Sequence, residues 1–109
     1  MDLQIESLHR RDIPDGVVLD ITAGDLQVQA YLVIAPADLE MVSRIVPTEI
    51  FEQRIPVHVS SVDTMSDVTE QVVQILENMQ PGDVVVYLCA DLTSYAQALK
   101  VLGWQHSHG

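Results

Sequence analysis

The chain is defined first by what it has little of: one cysteine, one lysine, five aromatic residues and no long apolar run. The lone Cys89 cannot close an internal disulfide, so the fold must hold without one, as in a reducing compartment. The longest uninterrupted apolar runs, Tyr31 to Pro36 and Val84 to Ala90, are far too short to span a bilayer. The opening MDLQIESLHRRD is charged at positions 2 and 6 and has no apolar stretch behind a basic start, so no signal peptide is expected and the location reads as cytoplasmic. Tyr31, Phe51, Tyr87, Tyr95 and Trp104 offer no stacking platform for bases. Gly24 and Gly82 are isolated turn glycines, which excludes a Gly-rich phosphate cradle. Basic charge is the scarcest resource: 5 Lys and Arg stand against 16 Asp and Glu, a net charge of −11. Such a surface repels nucleic acid and anionic membranes, since phosphate contacts dominate that affinity. The acidity reads first as a device for solubility, second as salt adaptation and third as a match for a basic protein partner.

What is present is enough for a core. The chain is 48% hydrophobic over 109 residues, which fits one domain over residues 1–109. Period-2 alternation predicts strands. Leu3 and Ile5 alternate with Gln4 and Glu6, with Arg10-Arg11 in a following loop and His9 in a turn-like stretch. Val17, Leu19 and Ile21 alternate with Val18, Asp20 and Thr22; after Ala23-Gly24-Asp25, Leu26, Val28 and Ala30 alternate with Gln27 and Gln29. Alternating runs around a Gly-containing turn predict a hairpin. Tyr31 to Ile34 and VVVYLCA, 84–90, are apolar on both faces, as covered strands are.

Helical spacing follows in ADLEMVSRIVP, with Leu39, Val42, Ile45 and Val46 on one face and Pro47 ending it; TEIFEQR adds one more turn. IPVHVSS predicts a short strand with His58 outward and Pro56 at its start. Residues 64–80 form the strongest helix, with Met65, Val68, Val72, Ile75, Leu76 and Met79 as its stripe. A last helix carries Leu92, Tyr95, Ala96, Leu99 and Leu102, with Gly103 ending it and Trp104 folding back. The order β-β-β-α-β-α-β-α predicts an α/β fold on the border of α+β. It has a mixed sheet of about five strands and helices mainly on one face.

In such sheets ligands gather at the carboxyl ends of parallel strands. Three strand-to-helix junctions are expected there. Their polar residues are Asp38; Ser60, Ser61 and Asp63; and Asp91, Thr93 and Ser94. As a site they form a rim for a hydroxyl-rich ligand or a cation. As plain structure they are helix caps, the commoner use of Asp, Ser and Thr at these positions, and Thr64-Met65-Ser66-Asp67 reads as a capping box.

Cys89 heads the third junction. The order strand, Cys89, loop, Thr93-Ser94, helix, Leu102-Gly103-Trp104 resembles the active-site segment of rhodanese-like sulfurtransferases and cysteine phosphatases. That resemblance implies Cys89 as a thiolate nucleophile. Those families open a glycine- or arginine-rich anion loop after the cysteine; here Ala90-Asp91-Leu92 leads straight to Thr93, with no arginine, and Asp91 opposes an oxyanion. His106 and His108 have no Cys, Asp or Glu at ligand spacing, so no metal and no cofactor is expected. The reading is a non-enzymatic module binding a protein or a small ligand; the alternative is a small thiol enzyme using Cys89. A symmetric homodimer through an open sheet edge is also expected, guarded only by Glu6 along residues 3–8 and by Pro56. The surface offered to it is Gln4, Glu6, Asp20, Thr22, Gln27, Gln29 and His58.

Overall fold

The computed structural model describes residues 4–108, with side chains to residue 103. In chain order the elements are β1 (Ser7–Ile13), β2 (Gly16–Ala23), β3 (Leu26–Ile34), α1 (Glu40–Ile45), α2 (Thr48–Glu52), β4 (Val57–Val62), α3 (Val68–Glu77), β5 (Val84–Cys89) and α4 (Leu92–His108). The sheet has five strands in the order β1-β2-β3-β5-β4. The first three pair antiparallel, and β5 pairs parallel with both β3 and β4. This is the mixed α/β sheet that the alternation predicts.

Every residue of β5 is buried, because helices cover both of its faces. Val85, Tyr87 and Cys89 join Leu19, Ile21, Ala30, Leu32 and Val62 under α3 and α4. Val84, Val86 and Leu88 join Val18, Tyr31 and Val33 under α1 and α2. The two longer helices therefore share one face and the two short ones take the other. The hairpin turns at Gly24, whose φ of 62° suits the first position of a two-residue loop.

Four local expectations are corrected. The first strand is not residues 3–8 but Ser7–Ile13, so Arg10 and Arg11 lie in a strand rather than a loop, and Pro14 with left-handed Asp15 (φ 66°) makes the turn. The strongest helix starts at Val68, not 64. Asp67 is its cap, accepting from Thr69 N at 3.0 Å and Glu70 N at 3.4 Å, and Met65 lies outside the stripe. The last helix packs the expected Tyr95, Leu99 and Leu102 on the core but adds buried Ser94 and Ala98, leaves Leu92 and Ala96 exposed, and runs through Gly103 instead of ending there. His58 does not face solvent with Asp20 and Gln29. It sits opposite Val85 in register and so lies on the α3 side of the sheet. Leu3 and the side chains of Trp104, His106 and His108 lie outside the described residues.

Losing the cap measures the corrected helix start. Asp67→Ala should cost about 1 kcal/mol, and Thr64→Ala less than about 0.5 kcal/mol, in urea denaturation. A larger loss at Thr64 would restore the earlier start.

Candidate functional site

The parallel pairing brings three connections to one end of the sheet. Ile34 and Val62 both stand opposite Cys89. Ala35 N donates to Cys89 O at 3.1 Å, and Ala90 N donates to Val62 O at 2.9 Å, so the chain leaves β3, β5 and β4 side by side. The polar rim residues expected there are present, and each carboxylate is turned to its own backbone. Asp38 Oδ1 accepts from Glu40 N at 3.0 Å, and Asp63 Oδ1 accepts from Met65 N at 3.0 Å. Asp91 Oδ1 accepts from Ser94 N at 2.8 Å, and this bond above all holds its carboxyl below the ordinary value.

The remaining rim hydroxyls behave differently from one another. Half-buried Ser60 donates to Gln71 O at 3.4 Å, while Ser61 and Thr93 are exposed. The Ser94 hydroxyl is buried and meets no partner at hydrogen-bonding geometry, yet lies near enough to Asp91 to help keep that carboxyl low. Among the described residues no group of three or more His, Cys, Asp or Glu could hold a metal ion.

Apolar side chains share this end, and alternation alone did not place them there. Leu39 (74% exposed), Met65 (94%) and Leu92 (68%) project from the three connections, with Ile34 (39%) closing β3 beside them. The legible signal was Asp67: a better cap than Thr64, it frees Met65 from the helix. Cys89, by contrast, is fully buried beneath the rim, its thiol directed at Tyr87 O at 3.9 Å. Burial, then the nearby Asp91 charge, pushes the thiol up to about 12, so it stays protonated at neutral pH. Beside it the buried Tyr87 hydroxyl donates to Val72 O at 2.7 Å, tying β5 to α3.

A second polar feature lies at the opposite end. A concavity of about 410 Å³ is floored by His9, Asp20, Thr22, Gln27 and Gln29 and walled by Ile50 and Gly82-Asp83. Tyr31 donates to Gln29 Oε1 at 2.8 Å, and Gln29 Nε2 donates to Asp20 Oδ1 at 3.3 Å, so the floor is a hydrogen-bonded ladder across the strands. Asp20, Thr22, Gln27 and Gln29 do share one sheet face, as the alternation implies.

Behind that wall the buried Asp83 carboxylate accepts from His58 Nε2 at 2.9 Å and from Gln80 N at 3.0 Å. Burial pushes the Asp83 carboxyl up, but the Gln80 and His58 hydrogen bonds and the His58 charge outweigh it and leave it below 3.8. The folded state thus binds this proton less readily than the unfolded chain. The resulting stability is present above pH 3.8 and fades as the pH falls through the lower folded value. His58→Ala should therefore move the acid limb of the stability curve upward, read by urea denaturation from pH 7 to pH 2. An unmoved limb would mean the pair contributes nothing.

Compared with family models, curated proteins and solved structures, the chain matches none.

Proposed function

We propose that the chain is a non-enzymatic module that binds a protein partner at the carboxyl end of its parallel strands. One observation carries this reading. Among the described residues, four of the five large exposed hydrophobics, Ile34, Leu39, Met65 and Leu92, stand at this single end. Scattered exposed apolar residues are ordinary, but their concentration beside polar groups is the make-up of an interface. A protein fits better than a small ligand, because Leu39, Met65 and Leu92 stand more than half exposed on three separate connections, whereas a small-ligand site encloses its lining. The sealed Cys89, protonated at neutral pH and without an anion loop, supports a structural role for the thiol. We place the module in the cytoplasm, in keeping with its single free cysteine; no described helix is long and apolar enough to cross a membrane.

A homodimer through the sheet belongs to the same proposal, with β1 and β4 as the edge strands. Exposed Arg10, Arg11 and Asp12 guard β1 better than Glu6 alone, which leaves the β4 edge, blocked only at its start by Pro56, for pairing.

A photo-crosslinking side chain at position 65 or 92, compared with one at exposed position 77, tests the docking surface in an extract of the source cells. A discrete crosslinked protein from 65 and 92, missing from 77, is expected. Equal crosslinking from all three positions would contradict it.

A further inference from the structure

Resting on that docking surface, we propose that its partner is a protein segment in which Lys or Arg flank large apolar side chains. The argument is charge complementarity around the apolar knobs. The connections that carry Leu39, Met65 and Leu92 also carry Asp38, Glu40, Asp63, Asp67 and Asp91, and residues 35–40, 61–67 and 90–94 contain no Lys, Arg or His. The β1–β2 turn lies at the same end, since Asp15 O accepts from Ile34 N at 3.1 Å, and it adds exposed Asp12 and Asp15. Asp12 is paired with Arg10 at 3.3 Å, so only Asp15 adds free charge. Arg44, lining a concavity with Asp15 and Ile13, and exposed Arg11 of β1 are cations at the margin.

Two effects oppose the negative field and neither cancels it. The N-termini of α3 and α4 point to this end, and each contributes about half a positive charge. Against the five carboxylates of the connections, that leaves about four negative charges. The hydrogen bonds that turn Asp38, Asp63 and Asp91 to backbone N–H groups fix the position of these charges and do not neutralise them. The three connections therefore carry exposed apolar side chains and carboxylates side by side, with Asp38, Asp63, Asp67 and Asp91 fixed by backbone hydrogen bonds. An acidic or neutral apolar segment would desolvate these carboxylates without pairing them, whereas Lys and Arg would pair them.

The probes are three short amphipathic peptides of identical spacing: Leu with Lys, Leu with Glu, and Ser with Lys. Binding is read by fluorescence anisotropy near neutral pH at low salt and at about 0.15 M, where the Debye length is about 8 Å. The Leu/Lys peptide should bind at least about tenfold more tightly than either other peptide, and weaken with salt. L39S/M65S/L92S should reduce its affinity about tenfold or more. D38N/D63N/D91N keeps the side-chain oxygens that accept from the backbone and should also weaken it. D25N/E52Q/E77Q changes net charge by the same amount at the far end of the sheet and should leave affinity nearly unchanged.

Equal loss in the two charge variants would show attraction to the whole acidic protein and overturn the proposal. So would Leu/Glu binding that matches Leu/Lys, or no binding by any peptide. The peptides test the partner's chemistry, while crosslinking from positions 65 and 92 tests docking itself. A crosslinked partner that lacks basic apolar segments would reject this inference alone.

Discussion

Cys89→Asp is expected to leave the protein unfolded at neutral pH, whereas Cys89→Ala should fold with a loss of only about 1–2 kcal/mol. The difference lies in what each change leaves in the core. Cys89 is fully buried among the side chains that pack under α3 and α4, next to Tyr87. Alanine removes one sulfur atom and leaves a small void. Aspartate puts a charge where the thiol has only the Tyr87 carbonyl, itself an acceptor, at 3.9 Å. The Asp91 carboxylate already raises the thiol and would repel a new charge as well. An unpaired buried charge costs several kcal/mol, comparable with the whole stability of about 5–15 kcal/mol of a small domain. Circular dichroism and urea titration of both variants decide the matter. An Asp variant as stable as the parent would mean that position 89 is open to water.

Gly16→Ala should be the next most damaging single change, at about 3 kcal/mol. Gly16 opens β2 opposite Val33, and an added Cβ would press into the Leu32 carbonyl far inside van der Waals contact. The obstacle is backbone, so the methyl can be admitted only by moving β3, which also pairs with β5. Gly103 is the internal control. A Cβ there meets nothing within 4 Å, and the residue lies within α4, so Gly103→Ala should stabilise by about 0.5–1 kcal/mol. Denaturation midpoints that rank the two glycines the other way would refute the close approach at Gly16.

Particular residues show why some of this fold was legible in the sequence and some was not. The run VVVYLC declares a strand covered on both faces because no polar side chain interrupts it, and the hairpin shows because Gly24 punctuates two alternating runs. The β1 strand hides because it is an edge. Its SLHRRDI side chains are half-buried or exposed, and its place comes from backbone pairing with β2. The face of α4 is legible in part: Tyr95, Leu99 and Leu102 of the expected stripe reach the core, but Leu92 and Ala96 do not, because small residues also pack against the sheet there. Ser94 and Ala98 are buried while the more apolar Leu92 is exposed. A hydrophobic stripe cannot reveal a contact that depends on smallness. Where the acidic rim residues sit followed from the parallel strands, but the exposed apolar set among them did not. Met65 fits a helical period that the true start of α3 leaves unused, and Leu92 stands exposed at the first residue of α4.

Thiol labelling of the native protein tests most directly whether this end of the sheet is a binding surface over a sealed core or the mouth of a thiol active site. Iodoacetamide at neutral pH should label Cys89 at a rate set by unfolding, orders of magnitude below that of the same chain in urea. Fast labelling of the folded protein, with a thiolate signature near neutral pH, would contradict the account and return Cys89 to the surface as a nucleophile.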